Sequence, residues 1–184
     1  MICTRVLLCI LMMLFTACGV CAALFPLMRR TGRDDASHKV KYEVYLWYTE
    51  SKYTDAKTHV YERIYHRQRN CGEFRTAAVA GAALDVVGCG VGAIACILAA
   101  VHICARVKFH LCCTLMVLCF VAFATLVASL ATVVFTFRGD SCPNDTANAM
   151  RSFHGQDYKL VEGFILLCIA AGGFFITTFL EMLS

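Results

Sequence analysis

Charge is scarce in this chain. Only 16% of its 184 residues are Asp, Glu, Lys or Arg, against about a quarter in an ordinary soluble domain. Proline is scarcer, with two in all, and tryptophan occurs once. So little charge cannot coat a soluble globule, and so little proline excludes a proline-rich linker. His/Asp/Ser and paired-carboxylate constellations are missing from the polar segments, and no Gly-rich phosphate loop precedes a helix. His38, His59, His66 and His154 are scattered without metal-ligand spacing. Neither an enzyme nor a metal or cofactor site is expected.

What is abundant is apolar sequence, 59% of the residues, and it comes in blocks. A bilayer core about 30 Å thick takes roughly 20 apolar residues at 1.5 Å rise each. Four stretches qualify, at about residues 6–28, 77–104, 111–137 and 163–183. They predict an all-α membrane protein, a four-transmembrane-helix bundle forming one integral membrane domain over 1–184. Two loops, 29–76 and 138–162, fall on one side; the termini and a tight turn fall on the other. Residues 29–75 carry 11 of the 17 Lys/Arg and 7 of the 13 Asp/Glu. Mixed signs on a segment tethered at both ends exclude a nucleic-acid surface and read as a solvated loop.

Sidedness pulls two ways. Lys/Arg is far denser in the loops than beside Arg5, Arg106 and Lys108, which by the positive-inside rule would make the loops cytosolic. Against this, Arg5 and the apolar run behind it resemble an uncleaved secretory signal. The loops also hold only two of 13 cysteines, Cys71 and Cys142, and Asn144 opens an N-x-T sequon. We take the loops as exoplasmic and the termini as cytosolic, as expected of a multi-pass protein of the cell surface. The RGD at 138–140 directly follows the apolar Phe137, so Arg138 reads as a helix-end anchor rather than a loop-tip adhesion motif.

In the first loop, Val40, Tyr42, Val44 and Leu46 alternate with Lys39, Lys41 and Glu43. This period of two predicts a half-buried strand and a small β-layer. Residues 59–67, HVYERIYHR, fit either a helix turn or a second strand. Six of seven tyrosines and the single tryptophan lie here. Tyr42, Tyr45, Trp47, Tyr48, Tyr61 and Tyr65 read both as packing for that layer at the headgroup zone and as a recognition surface.

Within the spans, Gly88 and Gly92 form G-x-x-x-G on a small-residue face with Gly81, suited to close packing inside the bundle or to a homo-oligomer contact. Asp85 lies deep in the second span, at about the depth of Ser129 and Thr132 in the third. It reads as a hydrogen-bonded structural acid or as the centre of a proton or ion path. Cys18 and Cys21 form a mid-span CxxC, read as buried small hydrophobes, with a thiol oxidoreductase the remote alternative. Cys104, Cys112 and Cys113 flank the basic turn and are candidate palmitoylation sites.

With VYLW in a β-patterned loop and NCGEFRTAAVAGAAL leading into the second span, the chain resembles the amastins, four-span surface glycoproteins. The resemblance covers the whole architecture and is most local at Leu46-Trp47 and from Asn70 to Ala78. It implies a claudin-like arrangement with an exoplasmic β-rich loop and cytosolic termini. It also implies contact with a partner protein or opposing membrane. The first-loop signature of that family has two cysteines and a glycine where this chain has Glu43, Tyr53 and Tyr48. Two loop cysteines remain. Cys71 lies five residues before the second span and Cys142 five after the third. Antiparallel neighbours joined by a tight turn would bring the two together, and we expect a Cys71–Cys142 disulfide.

Overall fold

The computed structural model describes residues 2–33, 39–54, 59–105, 111–143 and 149–183. Among them are four long helices: α1 (Ile2–Leu24), α2 (Gly72–Ala105), α3 (Leu111–Arg138) and α4 (Glu162–Leu183). All four are long and apolar enough to cross a membrane, with mean hydropathies from 2.2 to 2.6. Five strands complete the fold: β1 (Met28–Arg33), β2 (Lys39–Val44), β3 (Tyr48–Thr54), β4 (His59–Tyr65) and β5 (Lys159–Leu160). Residues 59–65 are thus a strand and not a helix turn. The expected class, spanning helices with a small antiparallel sheet, is the one observed.

Two boundaries move. The first span ends at Leu24 rather than residue 28, because Pro26 disfavours helix at Phe25 and offers no N–H of its own. Met28 instead begins β1. The second helix starts at Gly72, five residues early, with Glu73 in its first turn where the helix dipole favours an acid.

The chain forms two compact units. One comprises Met1–Cys21, Ala83–Ser129 and Leu166–Ser184, which are helical wherever the structure describes them. Small residues set its packing distances. A Cβ on Gly88 would fall 2.8 Å from Thr125 Oγ1 and 2.9 Å from Leu126 Cγ. One on Gly92 would fall 2.6 Å from Phe174 Cζ and 2.9 Å from Thr16 Oγ1. Both glycines therefore pack against the chain's own α1, α3 and α4. Phe174, Met12 and Leu126 fill the interior around them.

The other unit comprises Ala22–Ala82 and Leu130–Ile165. Its antiparallel sheet has the order β4-β3-β2-β1-β5. Pairing runs Met28↔Val44↔Thr49↔Ile64 at one end and Arg33↔Lys39↔Thr54↔His59 at the other. The exit from α1 is stitched into it: Leu27 N–H donates to Val44 O, Val161 N–H to Leu27 O and Gly163 N–H to Pro26 O. Side chains alternate across the strands. Met28, Val40 and Val44 are buried on one face, while the opposite face is charged.

Candidate interaction face of the sheet

The register gathers charge into one row, Lys159–Arg29–Glu43–Glu50–Arg63, crossing all five strands. The next row along begins Thr31–Lys41–Lys52. Two carboxylates therefore sit in the middle of the sheet, ringed by cations. Glu43 is 2% exposed and Glu50 6%.

Glu43 is the hub. Arg29 Nε lies 3.1 Å and Lys41 Nζ 2.9 Å from its Oε1, and Lys52 Nζ 2.5 Å from its Oε2. The Tyr45 hydroxyl donates to Oε2 at 3.3 Å. Lys52 also pairs with Glu50 at 3.2 Å, and Arg63 Nη2 meets Glu50 at 3.1 Å. Arg29 reaches on to Glu162 at 3.2 Å. Burial pushes the Glu43 carboxyl up, but hydrogen bonds and charge from Lys52 and Lys41 outweigh it and hold the group at about 2. Burial pulls the Lys52 ammonium down, and Glu43 and Glu50 more than reverse this. Glu43 and Lys52 therefore stay ionised at neutral pH.

At the helix-proximal end, Tyr45 stacks on Tyr48 with ring centroids 4.6 Å apart, and Tyr48 meets Tyr65 edge-on at 5.9 Å. Arg63 lies over the Tyr48 ring at 4.3 Å and Arg67 over Tyr65 at 5.7 Å. Trp47 and Tyr65 are 42% and 40% exposed. Tyr42, in contrast, belongs to the other face, with Arg30 6.0 Å from its ring. Tyr61 stands opposite Lys52 in the register, and its side chain lies outside the described residues. The six aromatics of the sequence reading are thus not one surface: Tyr45, Tyr48 and Tyr65 cluster, Trp47 caps their turn, and Tyr42 faces away.

His66 holds that turn in place. Its backbone N–H donates to Trp47 O at 3.0 Å, and its Nε2 donates to Tyr45 O at 2.8 Å. Its ring packs edge-on against Phe74, and Nδ1 has no partner among the described residues. Burial lowers the imidazole to about 4, the Tyr45 bond partly offsets this, and Arg69 adds to the lowering. Ligand spacing could not reveal His66, because its partners are backbone carbonyls. Glu43 and Glu50 were hidden too, since β-periodicity put Glu43 on a polar face without showing what pairs over it.

Behind the aromatic turn, Cys71 and Cys142 form a disulfide, with Sγ–Sγ 2.10 Å and Cα–Cα 6.0 Å. Glu73 accepts from Cys142 N–H at 2.9 Å. Of the RGD, Arg138 ends α3, and Asp140 accepts from Ser152 N–H at 2.6 Å, so its carboxylate is already engaged. Asn144 lies outside the described residues. Thr132 and Gly81 line a small cavity of about 20 Å³ beneath Leu46 and His66.

In the helical unit, Asp85 is 1% exposed and Oδ2 has no hydrogen-bond partner among the described residues, while Oδ1 lies 4.0 Å from Cys89 Sγ. Ser129 is buried in the same unit. Glu181, inside the fourth span, is a second buried acid that the sequence reading missed. Arg5 donates to His102 Nε2. Cys18 and Cys21 are free thiols, and Cys113 is free and exposed. The side chains of Cys104 and Cys112 lie outside the described residues.

A family model described as Amastin surface glycoprotein matches residues 7–180, nearly the whole chain. The chain belongs to the amastin family. It is accordingly a multi-pass membrane protein of a surface glycoprotein family. A comparison with curated proteins gave no match. In this amastin, the place where the family resemblance led us to expect a loop cysteine holds Glu43, the hub of the ion-pair network. The same unit is closed covalently by Cys71–Cys142.

Proposed function

We propose that this amastin is a structural and interaction protein of the plasma membrane, with cytosolic termini and an exoplasmic sheet that contacts a partner membrane, matrix or protein. The observation that carries the reading is the sheet itself. Among the described residues it is ordered by six ion pairs, it is closed at its base by a disulfide, and it presents charged and aromatic side chains. The disulfide supports the exoplasmic side, because such bonds persist in oxidising compartments. A rigid, pre-ordered face loses less entropy on meeting a partner. The test has two arms. A reporter fused after Lys57 should be active only outside the cytosol; activity confined to the cytosol ends the reading. Deleting residues 39–65 should then abolish cell-surface adhesion without loss of membrane insertion.

A second reading, a pore or auxiliary channel subunit, is favoured by the buried Asp85, whose Oδ2 has no partner among the described residues. Unchanged conductance in Asp85→Asn would remove it.

A further inference from the structure

We propose that the charged face of the sheet is a binding surface for a linear, negatively charged polysaccharide. The inference rests on the contact role proposed above and names the chemistry of the partner. Among the described residues of this face, seven cations stand against two carboxylates: Arg29, Lys41, Lys52 and Arg63 around the hub, and Arg33, Lys39 and Lys159 beyond it. Both carboxylates are buried beneath their partners. Solvent therefore meets a predominantly cationic surface, in which Glu43 and Glu50 are out of reach of a ligand and the exposed Glu162 is paired with Arg29. Such a surface draws and concentrates polyanions.

The arrangement narrows the class. Each of three successive rows, about 6.8 Å apart, holds a pair of cations on neighbouring strands about 4.8 Å apart: Lys159–Arg29, Lys41–Lys52 and Arg33–Lys39. This two-dimensional lattice suits a polymer with regularly repeated anions. Glu43 and Glu50 fix the inner cations, so less side-chain freedom is lost on binding. At one end the lattice runs into the Tyr45–Tyr48–Tyr65 cluster, whose exposed ring area offers a platform for the apolar face of a sugar ring. The rows contain no Leu, Ile, Val or Met to insert between lipids. A membrane-docking surface pairs basic with bulky apolar side chains; the cationic rows hold none, and Trp47 stands outside them at the aromatic turn. A polyanion carried on a flexible chain fits better than acidic headgroups in a plane.

The test uses the full chain in nanodiscs of neutral lipid, so it does not depend on which side of the cell the sheet faces. A heparin-derived oligosaccharide is titrated at about 50 mM salt and again at higher salt. Arg33, Lys39 and Lys159 are exposed and lie outside the Glu43–Glu50 network, so the triple variant Arg33→Glu/Lys39→Glu/Lys159→Glu should fold. A Cys71–Cys142 disulfide still closed to thiol label verifies that it does. The expected result is salt-sensitive binding that falls about tenfold or more in the triple variant, with a shallower salt dependence. Fully desulfated oligosaccharide should bind far more weakly. Three results would each overturn the inference: no binding at low salt, equal binding by the folded variant, or displacement of the oligosaccharide by phosphatidylserine vesicles, which would make the face a membrane dock. A cytosolic reporter after Lys57 would end the contact role and leave the nanodisc result standing.

Discussion

His66 shows how much one side chain governs here. It ties down the Tyr45–Trp47 turn from both its backbone and its ring, and its second ring nitrogen finds no partner for a proton among the described residues. The folded imidazole, at about 4, lies below its ordinary 6.5. The unfolded chain therefore binds the extra proton first. Stability is fully present above pH 6.5, falls as the pH drops through the interval down to about 4, and loses about 3 kcal/mol over it. Denaturant titrations of the detergent-solubilised protein between pH 7 and 4 should show this, and His66→Gln should flatten that part of the profile. Glu43 behaves with the same sign in a lower window. Its carboxyl, held at about 2 rather than 4.5, contributes stability present above pH 4.5 and lost as the pH falls through about 2. Glu43→Gln should cost about 2 kcal/mol at neutral pH, below the roughly 3–5 kcal/mol of breaking a fully buried ion pair, because its cations are partly solvated.

At the scale of elements, two joints carry the sheet. Cys71 precedes α2 and Cys142 follows α3, and the bond between them spans 71 residues of sequence. By chain entropy, closing a loop of that length is worth about 4 kcal/mol. Cys142→Ser should lower stability by roughly that amount. In the native, unreduced protein neither cysteine should react with a thiol label. The other joint is Gly163 at the start of α4. A Cβ there would fall 2.7 Å from the carbonyl oxygens of both Phe25 and Pro26. Both atoms are backbone, Pro26 O already accepts from Gly163 N–H, and neither can swing aside as a side chain could. Gly163→Ala should therefore cost about 2 kcal/mol, read as lost thermal stability, whereas Gly72→Ala, where the added Cβ meets nothing within 4 Å, should be tolerated.

Over the whole molecule, four apolar blocks and a loop of alternating residues are enough to place the spans and one strand before any contact is known. Whether an 18-residue window is apolar enough for a bilayer is a local sum over neighbours in sequence, and it needs no partner. The same holds for the small-residue face of α2 and for β2. Span ends were less legible, because Pro26 acts on the residue before it while the apolar run continues past it. What only the tertiary structure decided is which side chains meet: Glu43 and Glu50 side by side under four cations, Tyr42 turned away from Tyr45 and Tyr48, and Gly88 and Gly92 packed against the chain's own helices. Those outcomes depend on strand register and helix contacts between residues far apart in sequence, and a slip of one position would exchange the two faces of a strand. Hydropathy thus determined that this chain crosses a membrane; pairing decided that its sheet carries a cationic face with the acids hidden beneath it.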